Sequence, residues 1–273
     1  HISTEGPLGL AARRWCLAND FPFTTAYHTR FPEYVAARLP VSADFVWRFI
    51  RWFHRPARHI MVATRSLAHE LAGRGLVQTM MWERGVDHAL FRAEQPAHLA
   101  FTKLPRPIQL YVGRVAVEKN IEAFLATAQP GTKVIVGDGP ALAELRTRYP
   151  EARFLGKMAG EELASAYAGA DVFVFPSRTD TFGLVVIEAL SCGTPVAAYP
   201  VPGPGDIVTD GAGALDEDLD TAIAAALACG RTDAAALGAR YSWPRCTAQF
   251  LDALTFVPAK PVADTTIGAP YPA

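Results

Sequence analysis

Residues 171–195, DVFVFPSRTDTFGLVVIEALSCGTP, carry the pattern that decides the fold. The apolar run at 171–175 is typical of a buried strand, and after a polar turn the pattern of 182–192 predicts a helix. Asp180 lies in the turn and Glu188 in the helix. Eight residues at about 1.5 Å per residue would set the two carboxylates roughly 12 Å apart, with the unpaired N–H groups of a helix start between them. That separation matches the reach from a hexose, across a diphosphate, to a ribose.

Short apolar runs alternate with helical patterns on both sides of this stretch, which predicts βα units on parallel sheets. Strands are expected at 22–27, 59–64, 78–82, 108–112, 133–136, 153–155, 171–175 and 195–199. Helices are expected at 7–19, 31–38, 43–55, 65–73, 119–128, 140–148, 160–169, 182–192, 216–229 and 241–254. The fold class is therefore α/β, with two doubly wound Rossmann-like domains whose ligands sit beyond the carboxyl ends of the strands.

The chain divides into two domains and a tail. The first domain is expected at 1–92 and is expected to be incomplete, because the chain starts on His1 rather than Met and enters a helix within a few residues. A polar, proline-rich linker is predicted at 93–107 and the second domain at 108–240. A last helix at 241–255 is expected to pack back on the first domain, and a flexible tail follows at 256–273.

Composition narrows the classes of function. The chain has 273 residues, of which 50% are hydrophobic, and a formal net charge of −1, so no global basic field recruits nucleic acid. Its four cysteines have no C-x-x-C spacing, which argues against a zinc site or a disulfide framework. Neither a signal peptide nor a run of about 18 apolar residues is visible. A cytoplasmic location is expected.

Three predicted strands end in glycine-containing motifs. Gly113-Arg114 follows the strand at 108–112, and Lys119 lies at the start of the next helix, an arrangement that suits a diphosphate. A surface-charged loop would explain these cations equally well when they are taken alone. The motif at 137–140, Gly-Asp-Gly-Pro, is fully explained as a tight turn before a helix. Gly156-Lys157 gives the weakest signal, a backbone able to meet a base edge.

The two carboxylates also have a purely structural interpretation. Asp180 would cap the following helix, and Glu188 would be a solvated helix residue. The apolar neighbours of Glu188, at 185–187 and 189–190, argue against this, because a carboxylate in such a run is either paired or faces a ligand cleft.

Several motifs in order resemble one family. FPSRTDTFGLVVIEALSCGTPVAA at 175–198, with YVGRVAVEKN at 111–120 and VGDGP at 136–140, is similar to the carboxyl-terminal domain of retaining GT-B glycosyltransferases of family 4. The resemblance covers about residues 60–255. The family carries two glutamates separated by seven residues, and Asp180 stands here at the first position. The shorter carboxylate keeps the charge but puts in doubt which sugar hydroxyls are bound.

The resemblance implies a role for each matching residue. Arg114 and Lys119 would hold the diphosphate of a nucleotide sugar, Glu188 the ribose, and Asp180 the donor sugar. Together with Arg114, Lys119 and Asp180, His28 is a predicted catalytic residue. The other residues expected to bind the donor are Gly113, Gly137, Gly139, Lys157, Thr181, Phe182, Gly183, Leu184, Val185 and Gly203.

The amino-terminal part contributes the facing wall. From spacing alone His28 is more easily a structural residue, but the family places an active-site histidine at the end of a comparable strand. Arg30 and Tyr34 are weaker candidates for the acceptor side, and the segment 84–87 resembles the family's approach to the linker. On a helix at 45–55, three arginines share a face, which would suit an anionic membrane surface. A helix packed on its domain, with these arginines in water, is the favoured alternative.

The resemblance implies transfer of a hexose from a GDP- or UDP-sugar to the hydroxyl of a glycan or lipid-linked acceptor, with retained anomeric configuration. No metal or cofactor is expected, because cations and helix dipoles would offset the diphosphate charge. Peripheral contact with the inner membrane surface is a further expectation. Two alternatives stay open: a nucleotide-sugar epimerase of the same architecture, and an inactive nucleotide-sugar-binding fragment.

Overall fold

The computed structural model describes residues 1–28, 42–209, 211–255 and 257. The helix predicted at 31–38, the candidates Arg30 and Tyr34, and all of the predicted tail except Val257 lie outside the described residues. Within them, no helix is long and apolar enough to cross a membrane. No group of three or more His, Cys, Asp or Glu side chains in these ranges is arranged to hold a metal ion.

The first unit is a parallel three-stranded sheet in the order β1-β2-β3. Its strands are β1 (Thr25–Tyr27), β2 (Ile60–Val62) and β3 (Thr79–Met81), and its helices are α1 (Pro7–Ala18), α2 (Ala43–His54) and α3 (Arg65–Gly73). The Ser42 Oγ accepts from the Phe45 N–H at the start of α2, and the Thr64 Oγ1 accepts from the Leu67 N–H at the start of α3. The apolar faces of α2 and α3 close over the sheet.

The second unit is a parallel six-stranded sheet in the order β6-β5-β4-β7-β8-β9. Its strands are β4 (Ile108–Val112), β5 (Thr132–Val136), β6 (Arg153–Gly156), β7 (Val172–Phe175), β8 (Val196–Ala198) and β9 (Gly213–Leu215). Alternate residues of these strands enter two separate cores, one on each face. The strand order reverses between β4 and β7, so the crevice at their carboxyl ends is the expected ligand position.

Helices cover both faces of this sheet and follow the predicted βα alternation. They are α4 (Ile121–Leu125), α5 (Leu142–Arg148), α6 (Gly160–Gly169), α7 (Leu184–Ser191), α8 (Pro204–Ile207), α9 (Leu219–Leu227), α10 (Arg231–Gly238) and α11 (Trp243–Ala253). The α/β fold class with two Rossmann-like sheets is confirmed. The domain boundaries at 92, 107 and 240 stay predictions.

Some predicted elements are corrected in detail. The helix expected at 119–128 is reduced to α4, because Val117–Lys119 forms a 3₁₀ turn and Asn120 takes a left-handed conformation. The helix expected from residue 182 begins at Leu184, so Asp180 precedes it and the separation calculated from helix rise does not apply. The prediction omitted β9, α8 and α10.

Helix α11 contacts the first unit through side chains. The Gln249 side chain accepts from the Glu83 N–H at 2.8 Å and donates to the Glu83 carboxylate at 2.9 Å. Arg245 also pairs with the Glu83 carboxylate, at 3.0 Å. At the end of the helix, the ring of His59 lies 2.9 Å from the Ala253 carbonyl oxygen. The carboxyl-terminal helix is thus hydrogen-bonded to residues that flank β2 and β3 of the first unit.

Gly137 allows the ends of β4 and β5 to touch. Its φ is +145°, and a Cβ added there would lie 1.8 Å from the Gly113 carbonyl oxygen. We expect Gly137→Ala to lower the free energy of unfolding by at least about 2 kcal/mol, because backbone cannot move aside as a flexible side chain can. Urea unfolding followed by circular dichroism measures this.

Gly73→Ala is the matched control, since a Cβ at this helical position meets nothing within 4 Å. It should leave stability unchanged or raise it by about 0.5–1 kcal/mol. Equal unfolding midpoints for the two variants would contradict the packing argument.

Candidate functional site

A cleft of about 630 Å³ opens at the carboxyl ends of β4 and β7. The first unit contributes His28, Ala63 and Arg84 to its lining. The second unit contributes two segments, 111–114 and 179–185, together with Glu118, Lys119 and Phe175. Most of the predicted site residues are therefore brought together here, at the point where the strand order reverses.

Lys119 and Asp180 form an ion pair in this cleft. The Lys119 Nζ lies 2.6 Å from the Asp180 Oδ1, and each side chain is 24% exposed. The interpretation of Asp180 as a helix cap is wrong, because Gly183 occupies the cap position and no side chain in the described part of the chain caps α7. The other carboxylate oxygen of Asp180, Oδ2, is buried and accepts no hydrogen bond from any described residue. This oxygen can accept a hydrogen bond from a ligand in a cleft that also contains the Lys119 cation.

The start of α7 presents free donors to the same cleft. Gly183 has a φ of +89°, which favours glycine, and this turn brings the first helical N–H groups to the cleft wall. Within the described residues, the N–H groups of Leu184 and Val185 have no acceptor. Unpaired N–H groups at a helix start favour a negatively charged group, so this edge suits an anion.

His28 is held as a neutral hydrogen-bond donor. Arg84 donates to its Nδ1 at 2.8 Å, and since a guanidinium only donates, the ring proton must lie on Nε2. Burial, with the nearby Arg84 charge, lowers the pKa of His28 to about 4. The Thr181 hydroxyl donates to the His28 carbonyl oxygen at 2.8 Å and joins the two walls. His28 is therefore positioned to donate from Nε2 rather than to remove a proton at neutral pH.

Arg114 lies at the mouth of the cleft. Its side chain is 64% exposed and makes a 3.5 Å contact with the Glu118 carboxylate, a weak pair that leaves the guanidinium accessible. The Tyr111 hydroxyl donates to the Arg114 carbonyl oxygen at 2.9 Å and fixes the backbone beneath it. Sequence reasoning missed Tyr111 and Glu118 and gave Arg84 no role at the site. A short 3₁₀ turn orients Glu118 toward Arg114, and so short a turn has no sequence pattern from which this pair could be predicted.

A second cleft, of about 520 Å³, continues from Arg114 along the ends of β5 and β6. Gly137, Gly139 and Lys157 line it, and segment 112–114 belongs to both clefts. Gly137 serves backbone packing, as described above, and the same holds for Gly139, whose added Cβ would lie 2.3 Å from the Val115 carbonyl oxygen. The two clefts adjoin at segment 112–114, so the Arg114 cation lies where they meet.

Glu188 and Gly203 lie outside the residues that line either cleft. The Tyr167 hydroxyl donates to the Glu188 Oε2 at 2.8 Å. Burial raises the pKa of Glu188, and the bond from Tyr167 opposes this shift. A Cβ added to Gly203 would lie 3.1 Å from the Phe182 carbonyl oxygen, so Gly203 supports the turn behind the cleft. The predicted ribose contact of Glu188 stays a prediction.

The chain has two units, each built on a parallel sheet, and residues of both units line a cleft that contains cations. This arrangement is that of the GT-B class of fold. The model described as "Glycosyl transferases group 1" matches residues 106–231, and "Glycosyltransferase Family 4" matches residues 1–90. The chain belongs to the family 4 glycosyltransferases of GT-B fold.

Known proteins resemble the chain over most of its length. A sulfoquinovosyl transferase, SQD2 of Arabidopsis thaliana, is 34% identical over 226 residues, covering 77% of this chain and 44% of that protein. A GDP-mannose-dependent alpha-mannosyltransferase of Mycolicibacterium smegmatis is 37% identical over 226 residues, covering 81% and 60%. A sucrose-phosphate synthase from Thermosynechococcus elongatus superposes with a TM-score of 0.71 at 28% identity, covering 89% and 70%. The chain spans about half the length of the two relatives named first.

The state of His28 can be measured directly. We expect nitrogen-15 NMR to show the Nε2–H tautomer and a titration midpoint near the pKa of about 4. The ordinary pKa of 6.5 applies when the chain is unfolded, so between these values the unfolded state binds the proton and the folded state does not. Stability therefore falls as the pH is lowered from 6.5 toward 4.

His28→Gln removes this titration and should flatten that part of the pH dependence of unfolding free energy. An unchanged slope in the variant, or a His28 midpoint near 6.5, would show that the histidine is not held neutral by burial and Arg84.

Proposed function

We propose that the chain carries the donor site of a retaining glycosyltransferase, which moves a hexose from a nucleotide diphosphate sugar to an acceptor hydroxyl. The observation that carries the proposal is the Lys119–Asp180 pair, with its unpartnered buried oxygen, in a cleft lined by both units. The charge of a diphosphate would be offset by Lys119 and by the free N–H groups at the start of α7. A sugar hydroxyl would donate to the Asp180 oxygen that has no donor among the described residues.

The proposed donor would lie along the two clefts. Its diphosphate would lie against Lys119, Arg114 and the N–H groups of Leu184 and Val185. Its sugar would lie between Asp180 and His28, which donates from Nε2 to a hydroxyl oxygen. The nucleoside would extend along the second cleft past Gly137 toward Lys157. Arg114 and Lys119 would then meet the most strongly charged part of the ligand.

The proposed step breaks the bond between the anomeric carbon and the diphosphate oxygen. The acceptor oxygen bonds to the same carbon on the same face, and its proton passes to the departing diphosphate. Lys119 and Arg114 offset the charge that develops on the diphosphate, together with the N–H groups at the start of α7. Because His28 is neutral and hydrogen-bonded at Nδ1, it orients the sugar and does not act as the base.

The relatives guide the choice of substrates. Since one relative is a GDP-mannose-dependent mannosyltransferase, GDP-mannose is the first donor to test, followed by UDP-sugars. A glycan or lipid-linked acceptor is part of the proposal, and so is a cytoplasmic location with peripheral contact at the inner membrane surface.

Calorimetric titration with GDP-mannose, UDP-glucose, GDP and UDP tests donor binding. We expect one base to be preferred, and Lys119→Ala to weaken binding of both the sugar and its nucleoside diphosphate by about tenfold or more, since a charge-assisted bond to the diphosphate is lost. Lys103→Ala is the matched control, because Lys103 is exposed and lines neither cleft. Failure of every nucleotide to bind would refute the proposal.

Asp180→Asn distinguishes the contribution of the sugar to binding from that of the diphosphate. It keeps the shape but halves the acceptor capacity, so it should weaken the nucleotide sugar by about tenfold while changing nucleoside diphosphate affinity much less. Equal losses of affinity for both ligands would mean that Asp180 acts only through Lys119.

A separate measurement tests retention. Slow donor hydrolysis or transfer is followed, and NMR coupling constants give the anomeric configuration of the product.

A further inference from the structure

A third cavity, of about 780 Å³, lies on the first unit and shares no lining residue with the two donor clefts. Arginines dominate its lining, and no carboxylate belongs to it within the part of the chain that the structure describes. We call it the arginine cavity. It is lined by Arg13, Arg48, Arg51, Arg55 and Arg74, with Trp52, Pro56, Gly75 and Leu76.

Helix α2 and the residue that follows it supply three of these arginines. Arg48, Arg51 and Arg55 follow one another at spacings of three and four, which places them on one helix face. The opposite face, with Ile50 and Phe53, is fully buried in the first unit. The fold therefore fixes the direction in which this row of cations points.

Arg13 is built into the cavity wall rather than free in water. It is only 8% exposed, and it donates to the Phe53 carbonyl oxygen at 3.0 Å and to the Trp52 carbonyl oxygen at 2.8 Å. Its guanidinium carbon lies 3.8 Å from the centre of the Trp52 ring. The cation thus satisfies carbonyl groups at the end of α2, where positive charge is favoured.

Arg74 closes the other side of the cavity. Its guanidinium carbon lies 3.9 Å from the centre of the Trp47 ring, and its nearest carboxylate contact, with Glu70, is 4.0 Å long. Among the described residues, Arg48, Arg51 and Arg55 have no ion-pair partner. Like charges at these spacings repel one another. A multivalent anion in the cavity would replace this repulsion with attraction.

We propose that the arginine cavity is a second anion site, which binds a phosphate-bearing group carrying at least two negative charges. Guanidinium groups present paired N–H donors that match phosphate oxygens, and several can share one phosphate. The ligand is either a soluble phosphate ester or the head group of an anionic lipid. This site is independent of the proposed donor site, since the two have no residue in common.

Calorimetric titration with inorganic pyrophosphate tests the site in a chain that carries Arg114→Ala and Lys119→Ala, so that the cations of the donor cleft do not contribute. We expect binding to remain in this background. Adding Arg51→Gln and Arg55→Gln should weaken it by about tenfold or more, since two charge-assisted contacts are lost. Arg13 is left unchanged because its hydrogen bonds hold the end of α2.

The matched control adds Arg14→Gln and Arg58→Gln instead. These exposed arginines belong to the same unit and lie outside the cavity, so affinity should change by less than about twofold. Thermal unfolding of each variant shows whether it is folded. If the chain with Arg51→Gln and Arg55→Gln is not folded, Arg48→Gln with Arg51→Gln takes its place. Equal losses in the control, or no pyrophosphate binding in the background chain, would overturn the proposal.

Sedimentation with vesicles identifies the source of the phosphate. Vesicles of phosphatidylcholine with phosphatidylglycerol are compared with vesicles of phosphatidylcholine alone. Co-sedimentation of the chain with the anionic vesicles that depends on Arg51 and Arg55 and is abolished by pyrophosphate assigns the cavity to a lipid head group. Pyrophosphate binding without co-sedimentation assigns it to a soluble phosphate ester. Binding that survives Arg51→Gln and Arg55→Gln in both assays refutes the site.

Discussion

The ion pair between Lys119 and Asp180 is the interaction on which the site depends. It joins the segment that leaves β4 to the segment that leaves β7, and these strands lie on either side of the point where the sheet order reverses. Because both side chains are largely buried, the pair is screened less than a surface pair would be. It therefore fixes the distance between the cation proposed to bind the diphosphate and the carboxylate proposed to bind the sugar.

The same turn also connects the two units. Thr181, next to Asp180, donates to the His28 carbonyl oxygen, and farther along the Asp206 carboxylate accepts from the Ser66 N–H at 2.9 Å and from the Gly203 N–H at 3.2 Å. One carboxylate thus holds the start of α3 in the first unit and the turn that supports Phe182 in the second. Hydrogen bonds between the two units therefore hold the walls of the cleft together.

The sequence was sufficient for the fold because its strands are short, strongly apolar and separated by helical periodicity. It failed at β9, whose Gly-Ala-Leu run has no β-branched residue and pairs with β8 because Gly213 allows the Val196 carbonyl oxygen to approach. At the site, strand ends and the family resemblance brought His28, Lys119 and Asp180 to one cleft. They did not reveal which groups pair, because the partners of His28 and Asp180 lie 56 and 61 residues away in the chain. The arginine row of α2 was visible, but Arg13 and Arg74 join it only through tertiary packing.

The aspartate at position 180 has a specific physical consequence. Its side chain is one methylene shorter than the glutamate of the family pattern. Lys119 pairs with one of its oxygens, and the other is buried and has no donor among the described residues. A buried acceptor left without a hydrogen bond costs about 1–3 kcal/mol, so a ligand hydroxyl that donates to Oδ2 would stabilise the proposed complex. A sugar whose hydroxyl reaches this recessed oxygen gains the bond, and an epimer that points the hydroxyl away leaves the oxygen buried and unpaired. In the proposed donor site, aspartate at this position would therefore discriminate between sugars by the geometry of a single acceptor.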